Sequence, residues 1–176
     1  MKKTISKKNI GILGGTFDPP HKGHVKISLE AKKKFHLSKI YWAVTKKNPF
    51  KGQTLLTLKQ RINYSKRINI KNKFIKVDFY ENKINSNKTV DLIKYFKKKF
   101  KTSKIYFIMG ADNLISFHKW KGWKKITNIS EILVFDRSGY KKKSLKSISY
   151  KKFNKKGLKF INFKKINISS SKLRKI

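Results

Sequence analysis

Short apolar runs alternate along the chain with longer segments in which apolar residues recur at helical spacing. The short runs are rich in isoleucine, valine, phenylalanine and tyrosine, which favours β-strands. They predict strands at Asn9–Gly15, Lys39–Val44, Lys73–Phe79, Lys104–Gly110, Glu131–Arg137 and Leu158–Lys164. The longer segments predict helices within His24–Leu37, Leu56–Ile68 and Thr89–Phe100.

Each predicted helix carries apolar residues that are expected to face the core. These are Val25, Leu29 and Phe35 in the first helix, Leu58, Ile62 and Ile68 in the second, and Val90, Ile93, Phe96 and Phe100 in the third. The stretch Ser138–Gly157 is rich in lysine and is expected to be a solvated connection.

Alternating strands and helices are typical of an α/β fold with a parallel sheet and helices on both faces. The crossovers of such a sheet are right-handed. Ligands bind beyond the carboxyl ends of its strands, where the winding reverses. Neither a repeat nor a linker interrupts the 176 residues, so we expect a single domain spanning 1–176.

The composition supports a packed core and excludes several classes of site. Apolar residues make up 38% of the chain and aromatic residues 13%. The absence of cysteine excludes disulfides, a thiolate nucleophile and a thiolate metal site. No apolar run approaches the roughly 18 residues of a membrane span, and the one behind the basic N-terminus is too short for a signal peptide. We therefore expect a cytoplasmic protein with no membrane partner.

The charge is strongly positive, with 47 lysines and arginines against 8 acidic residues and a net charge of +39. Such a field attracts nucleic acids and phosphorylated substrates. Lysine is nevertheless spread over every segment, together with isoleucine and asparagine, and all three have A/T-rich codons. An AT-rich genome explains this pattern, so we expect no specific nucleic-acid partner.

The stretch GILGGTFDPPHKGH holds two of the four histidines of the chain. Gly14 and Gly15 end the first predicted strand, Thr16–Pro20 turns the chain, and a helix is expected from Lys22 onward. A helix N-terminus behind a glycine turn favours anion binding, because free backbone N–H groups and the helix dipole both point at the ligand.

His21 and His24 are three positions apart, so both are expected to point into this anion pocket. An imidazole donates a hydrogen bond to a phosphoryl oxygen and, when protonated, also neutralises charge. The residues alone leave two alternatives open. One is an ordinary turn, and the other is a zinc site, for which Asp18 and Glu30 are the nearby carboxylates.

The segment GGTFDPPHKGH resembles the signature of the nucleotidyltransferase superfamily, a [T/H]-x-G-H motif that His21, Gly23 and His24 fill. This resemblance implies an α/β, Rossmann-like, doubly wound parallel sheet. It also implies that His21 and His24 are catalytic, binding ATP phosphates and stabilising the transition state of adenylyl transfer. ATP binding is further implied for Gly14, Gly15, Thr16 and Phe17.

A second cluster suited to phosphate ends the chain in NISSSKLRKI. Serine hydroxyls before a helical run fit a helix N-cap, and arginine forks onto phosphate oxygens. A capped terminal helix is the simpler alternative. The segment resembles the superfamily motif ISSTxIR, which implies that Ser169, Ser170, Ser171 and Arg174 grip the β- and γ-phosphates of ATP.

Three further stretches resemble the bacterial nicotinate-nucleotide adenylyltransferases, and they run over Thr45–Gly52, Phe107–Trp120 and Lys121–Ile126. That resemblance implies transfer of the adenylyl group of ATP to nicotinate mononucleotide, giving deamido-NAD and pyrophosphate in NAD biosynthesis. Mg²⁺ is the implied cofactor. It would be held mainly by the ATP phosphates rather than by protein ligands, since Mg²⁺ commonly keeps its waters.

The resemblance also assigns the remaining site residues. On the ATP side these are Gly110, Arg137 and Asp112, the last as acceptor from a ribose hydroxyl or, alternatively, only as a helix N-cap. Trp120 is expected to stack on the nicotinate ring, whereas Trp123 is expected in the core. Lys51, Ser86 and Thr89 complete the mononucleotide side.

One departure from that family concerns the loop that contacts the pyridine carboxylate. The family often has an SYTxxTL-like sequence there, whereas this chain reads KINSNKTVDL without the aromatic residue. Nicotinamide mononucleotide therefore stays open as an alternative acceptor. Pantetheine phosphate is the alternative within the superfamily, and the Gly-Ala-Asp-Asn segment together with Trp120 and Trp123 argues against it. A basic nucleic-acid-binding protein is the alternative from another class, and the sequence is compatible with a homo-oligomer.

Overall fold

The computed structural model describes residues 8–50 and 52–162. Six parallel strands form one sheet in the order β3-β2-β1-β4-β5-β6. Their bounds are β1 Asn9–Gly15, β2 Leu37–Val44, β3 Ile75–Asp78, β4 Lys104–Gly110, β5 Glu131–Phe135 and β6 Leu158–Ile161. All six predicted strands are confirmed, and β1 and β4 agree with the prediction at both ends.

Helices connect the strands and cover both faces of the sheet. They are α1 Lys22–Phe35, α2 Leu58–Ile68, α3 Glu81–Ile84, α4 Thr89–Lys99, α5 Ala111–Ser116, α6 Trp123–Ile129, α7 Lys141–Leu145 and α8 Ile148–Phe153, with a 3₁₀ turn at Phe117–Lys119. None of the helices within the described ranges is long and apolar enough to cross a membrane.

Alternate residues of the inner strands enter two separate hydrophobic clusters, as the pleat of a strand requires. Along β1, Ile12 packs into the cluster that contains α4 and α6, and Leu13 packs into the cluster that contains α1 and α2. Every strand but the edges is therefore buried on both faces. This arrangement confirms the predicted doubly wound α/β sheet.

The winding reverses between β1 and β4, which are adjacent in the sheet although β2 and β3 lie between them in sequence. Crossovers leave the carboxyl ends of these two strands in opposite directions. A crevice opens at such a point in doubly wound sheets. The Gly14–Gly15 pair ends β1 there, and Gly110 ends β4 beside it.

The predicted core faces of α1 and α2 are confirmed except at Leu29, which is 45% exposed. The other predicted residues are partly buried against the core, and they are Val25, Phe35, Leu58, Ile62 and Ile68. The fully buried residues are Ser28 and Ala31 in α1 and Arg61 and Ser65 in α2. Ser28 and Arg61 are buried because they bond to neighbouring segments, which an apolar pattern does not register.

The lysine-rich stretch 138–157 is more structured than predicted, because it forms α7 and α8. Its lysines are exposed, as expected of a solvated connection, but Ser144 and Ser149 are fully buried, so the stretch also packs against the fold. By contrast α4 buries Val90, Ile93 and Phe96 as predicted.

Candidate active site

A cleft of about 780 Å³ opens at the carboxyl ends of the central strands. It gathers every predicted site residue that lies in the described ranges. These residues are Gly14, Gly15, Thr16, Phe17, His21, His24, Ser86, Thr89, Gly110, Asp112, Trp120 and Arg137. Lysines 47, 88, 119 and 121 also line the cleft and make it attractive to phosphate groups.

His21 and His24 form a reciprocal capping box at the start of α1. Nδ1 of His21 accepts a hydrogen bond from the backbone N–H of Gly23 at 3.1 Å, and Nδ1 of His24 accepts one from the backbone N–H of His21 at 3.3 Å. The two ring centroids are 3.9 Å apart. A neutral imidazole whose Nδ1 accepts carries its hydrogen on Nε2, so this box sets the donor atom of a neutral ring.

The structure corrects two details of the predicted anion pocket. Backbone N–H groups of the first turn were expected to be free for the ligand, but that of Gly23 is bonded to His21 and that of His24 to the His21 carbonyl. Burial, followed by the positive charge of Arg137, lowers the pKa of His21 from 6.5 to about 4. His21 is therefore a neutral donor at pH 7 rather than a cation.

Acid is expected to destabilise the fold through His21. The pKa of this ring is about 4 in the folded chain, against 6.5 for a histidine exposed to water, so the unfolded chain binds the extra proton between these values. The linked stability is present above pH 6.5 and is lost as the pH falls toward 4. An NMR titration of the His21 ring in the free protein should give a midpoint near 4. A midpoint near 6.5 would contradict this burial.

Pyrophosphate should raise the midpoint of the His21 titration, because phosphate charge beside the ring favours its protonated form. A titration without pyrophosphate, at an ionic strength matched with sodium chloride, is the control. A midpoint that pyrophosphate leaves unchanged would place the ligand away from His21.

A buried aromatic stack supports His24. Phe17 lies against the ring of Trp42 with centroids 4.7 Å apart and planes 8° apart, and its centroid is 4.9 Å from that of His24. Trp42 is fixed in turn, since its indole N–H donates to Ser28 at 2.9 Å. Phe17 has a φ of 50°, a left-handed conformation that costs energy for a bulky residue and is found mainly where function requires it.

Asp112 and Arg137 meet across the carboxyl ends of β4 and β5. The Arg137 guanidinium donates to the Asp112 carboxylate in a half-buried ion pair. Gly110 makes room for this carboxylate, because a Cβ at that position would lie 2.6 Å from Oδ1 of Asp112. Gly110 itself is the N-cap of α5, so the alternative of Asp112 as the cap is wrong.

Trp120 and Trp123 have different surroundings. Trp120 lines the cleft, with its ring edge-on to Phe107 and Phe117. Trp123 is absent from the residues that line the cleft within the described ranges and packs against Phe117 and Phe153.

The segment before α4 also lines the cleft. Thr89 is the first residue of α4, and the Lys88 N-cap makes no side-chain capping bond. Ser86 donates to the Asp91 carboxylate at 2.9 Å, and its hydroxyl accepts from the backbone N–H of Lys88 at 3.2 Å. Ser86 thus shapes the turn, while its neighbours Asn87 and Lys88 line the cleft with it.

Comparison with known proteins identifies the family. The cytidylyltransferase-like family model matches residues 12–176. The chain is 62% identical over 170 residues to a probable nicotinate-nucleotide adenylyltransferase of Pelagibacter ubique, covering 97% of this chain and 94% of that one. The chain belongs to the nicotinate-nucleotide adenylyltransferase family. A probable enzyme of the same name from Ruegeria sp. is 35% identical over 130 residues, covering 74% of this chain and 68% of its own.

Solved structures agree with this family. The nicotinic acid mononucleotide adenylyltransferase of Plasmodium falciparum, complexed with APC in one structure and with NaAD in another, matches with a TM-score of 0.75 and 25% identity. The match covers 96% of this chain and 83% of that one. The predicted family, the nucleotidyltransferase fold and the enzyme class are thereby confirmed.

Sequence reasoning missed three polar residues that shape this nucleotidyltransferase cleft. Arg61 and Asp18, each 1% exposed, join the turn before the histidines to the segments around α2. The role of Asp18 was missed, since it was considered only as a zinc ligand. Glu81 lines the cleft and accepts from Thr45 and Lys46. One signal could have found Arg61. Only four of the 47 basic residues are arginines, and the family motifs account for Arg137 and Arg174.

Five predicted site residues fall outside the described ranges. They are Lys51, Ser169, Ser170, Ser171 and Arg174. The capping-helix alternative for the C-terminal motif also lies outside them. Their assignments stay predictions.

Proposed function

We propose that this chain transfers the adenylyl group of ATP to nicotinate mononucleotide, releasing pyrophosphate and forming deamido-NAD for NAD biosynthesis. One observation carries the proposal. The mutually capped His21 and His24 lie in the same cleft as Trp120, so a phosphate-binding pair and an aromatic platform share one site. The family relationship supports it, and so does the NaAD complex of the Plasmodium falciparum enzyme.

The triphosphate is placed at the carboxyl end of β1. Gly14 and Gly15 leave the backbone accessible, and Thr16 and Phe17 continue the wall of the cleft. His21 and His24 are proposed to donate hydrogen bonds to the α-phosphate of ATP, His21 as a neutral imidazole in the free protein. Preorganised donors of this kind commonly account for a large part of rate enhancement.

The reaction requires the protein to position the two substrates and to stabilise charge, without forming a bond to either of them. An oxygen of the mononucleotide 5′-phosphate attacks the α-phosphorus of ATP in line, and the bond from that phosphorus to the bridging oxygen of pyrophosphate breaks. No covalent enzyme intermediate forms, which suits a chain without cysteine. Positioning of both substrates and stabilisation of the developing charge together supply the acceleration.

The nucleoside end of ATP is assigned to the β4–β5 side. Asp112 accepts from a ribose hydroxyl, and its pairing with Arg137 orients the carboxylate for that role. Ser169, Ser170, Ser171 and Arg174 are proposed to close over the β- and γ-phosphates. Lys51 is proposed to meet the acceptor phosphate.

The nicotinate ring is assigned to Trp120, and Ser86 and Thr89 are assigned to the same mononucleotide side of the cleft. Lys88 and Lys119 also line the cleft, and their positive charge favours a carboxylate over an amide on the ring. This charge is the physical reason to prefer nicotinate mononucleotide as acceptor.

Magnesium enters as part of the MgATP substrate. Within residues 8–50 and 52–162, no group of three or more histidine or acidic side chains could hold a metal ion. Such a chain suits an ion that keeps its waters and is carried by the phosphates. We place the enzyme in the cytoplasm, where ATP and pyridine mononucleotides are available.

An acceptor comparison tests the proposed function. Purified protein is given MgATP and, separately, nicotinate mononucleotide, nicotinamide mononucleotide or 4′-phosphopantetheine, and both pyrophosphate and the adenylylated product are quantified. We expect deamido-NAD and the highest kcat/KM with nicotinate mononucleotide. Pyrophosphate release with 4′-phosphopantetheine alone would overturn the assignment. Adenylyl transfer absent with all three, together with nucleic-acid binding that persists near about 0.2 M salt, would favour the nucleic-acid alternative.

A further inference from the structure

We propose that Arg61 is a positioning residue that sets the geometry of the catalytic histidines by joining the turn at Thr16–Pro20, which leads to His21, to Thr45 and Lys46 at the end of β2. The reaction it serves is the proposed adenylyl transfer, so the proposal rests on that function. Arg61 lies on α2, outside the motifs that carry the family resemblance.

The Arg61 side chain is 1% exposed and its guanidinium donates to four backbone carbonyls. Nη1 donates to the carbonyls of Thr16 and Thr45, each at 2.7 Å, while Nε donates to that of Leu56 and Nη2 to that of Lys46, each at 3.1 Å. Thr16 follows the glycine pair of β1, and Thr45 and Lys46 follow β2. One buried cation therefore joins the ends of two adjacent strands.

Asp18 makes the reciprocal connection. Its carboxylate, 1% exposed, accepts from the backbone N–H groups of Leu55 and Leu56 at 2.9 and 3.0 Å. Arg61 thus reaches from α2 to the histidine loop, and Asp18 reaches from the histidine loop to the residues just before α2. Arg61 and Asp18 together therefore hold the histidine turn and the residues before α2 against each other.

The two anchors flank Phe17, whose backbone has the left-handed φ of 50°. The Thr16 carbonyl is bonded to Arg61 on one side, and Asp18 is bonded to Leu55 and Leu56 on the other. A strained residue keeps its conformation only when its surroundings fix it. Because the Phe17 ring packs on His24, the anchors determine where that imidazole lies.

The same anchors hold residues on both sides of Phe50, within the described ranges 46–50 and 52–56. Phe50 lines the cleft and is 47% exposed. Arg61 holds the carbonyls of Lys46 and Leu56 at the two ends. The Arg61 guanidinium therefore sets both the position of the segment that carries Phe50 and the position of the turn that leads to the histidines.

Lysine cannot replace this arrangement. Arginine presents five donors in a rigid planar fork, whereas lysine has one nitrogen on a flexible stem. In a chain where lysines greatly outnumber the four arginines, a buried arginine that bonds four carbonyls indicates a requirement for the fork.

Arg61→Lys tests the proposal, with Arg67→Lys as the matched control, since Arg67 is exposed on the same helix. The ring resonances of His24 are recorded by NMR in the free protein. Then kcat and KM for both substrates are measured well below the melting temperature of each variant. We expect R61K to shift the His24 signals and to lower kcat about 100-fold, the effect of misplacing reacting groups by about an ångström. R67K should change neither.

A purely structural role would lower the melting temperature of R61K while leaving kcat and the His24 signals at wild-type values, and that result overturns the proposal. If R61K does not fold, Asp18→Asn is used instead, because it removes one of the two carboxylate oxygens that accept from Leu55 and Leu56. Its kcat and its His24 signals are then compared with the wild-type values in the same way. Failure of the wild-type protein to make deamido-NAD would instead overturn the proposed function. The His24 signals of the free variants would still decide the positioning role.

Discussion

His24→Ala is expected to lower kcat for deamido-NAD formation by about 10²–10³-fold, the usual loss when one preorganised donor is removed from a transition state. The ring lies beside His21 in the cleft, and its Nδ1 is bonded to the backbone, which directs Nε2 to the phosphates when the ring is neutral. Loss of the capping bond should cost only about 1 kcal/mol of stability. Steady-state kinetics and a thermal melt of the same sample measure both effects.

Two further substitutions at this position separate the roles of the ring nitrogens. His24→Gln can place an amide nitrogen near the Nε2 position, whereas His24→Asn can supply only the acceptor that Nδ1 provides. We expect the glutamine variant to retain more activity than the asparagine variant. Near-normal kcat in His24→Ala would remove His24 from the catalytic step.

Trp120→Leu should raise the KM for nicotinate mononucleotide roughly tenfold, because stacking of a base on an aromatic ring contributes about 1–3 kcal/mol. The KM for ATP should change little, since the triphosphate is assigned to the β1 end of the cleft. Leucine keeps much of the apolar contact with Phe107 and Phe117, so the fold should survive.

Trp123→Leu is the matched control for that experiment. Trp123 packs against Phe117 and Phe153 in the core rather than along the cleft. It should lower thermal stability and leave the KM for both substrates close to the wild-type value. Equal KM effects from the two substitutions would contradict the assignment of Trp120 to the nicotinate ring.

The strands and the cleft were predictable from sequence for physical reasons. Strands buried on both faces appear as continuous apolar runs, and β1 and β4 were therefore found at their full length. The glycine pair and the histidines lie within eleven residues of one another, so a local motif contained them. Site residues that lie close together in sequence can be found from a local sequence motif.

The supports of the site were not predictable in the same way. Arg61 bonds Thr16 across 45 residues, and Asp18 bonds Leu56 across 38, so each depends on tertiary contacts that no local pattern contains. The neutral state of His21 likewise results from burial and from Arg137, which is distant in the chain. Leu29 shows the opposite error, because helical spacing predicted that it would face the core. The residue of α1 that is buried at this point is the neighbouring Ser28, which accepts a hydrogen bond from Trp42.

The most direct test of the central claim is a crystal structure of the protein with a non-hydrolysable ATP analogue. The account predicts that Nε2 of both His21 and His24 lies within about 3.2 Å of phosphate oxygens of the analogue, at the carboxyl end of β1. An analogue bound elsewhere, or imidazole rings directed away from the phosphates, would contradict it.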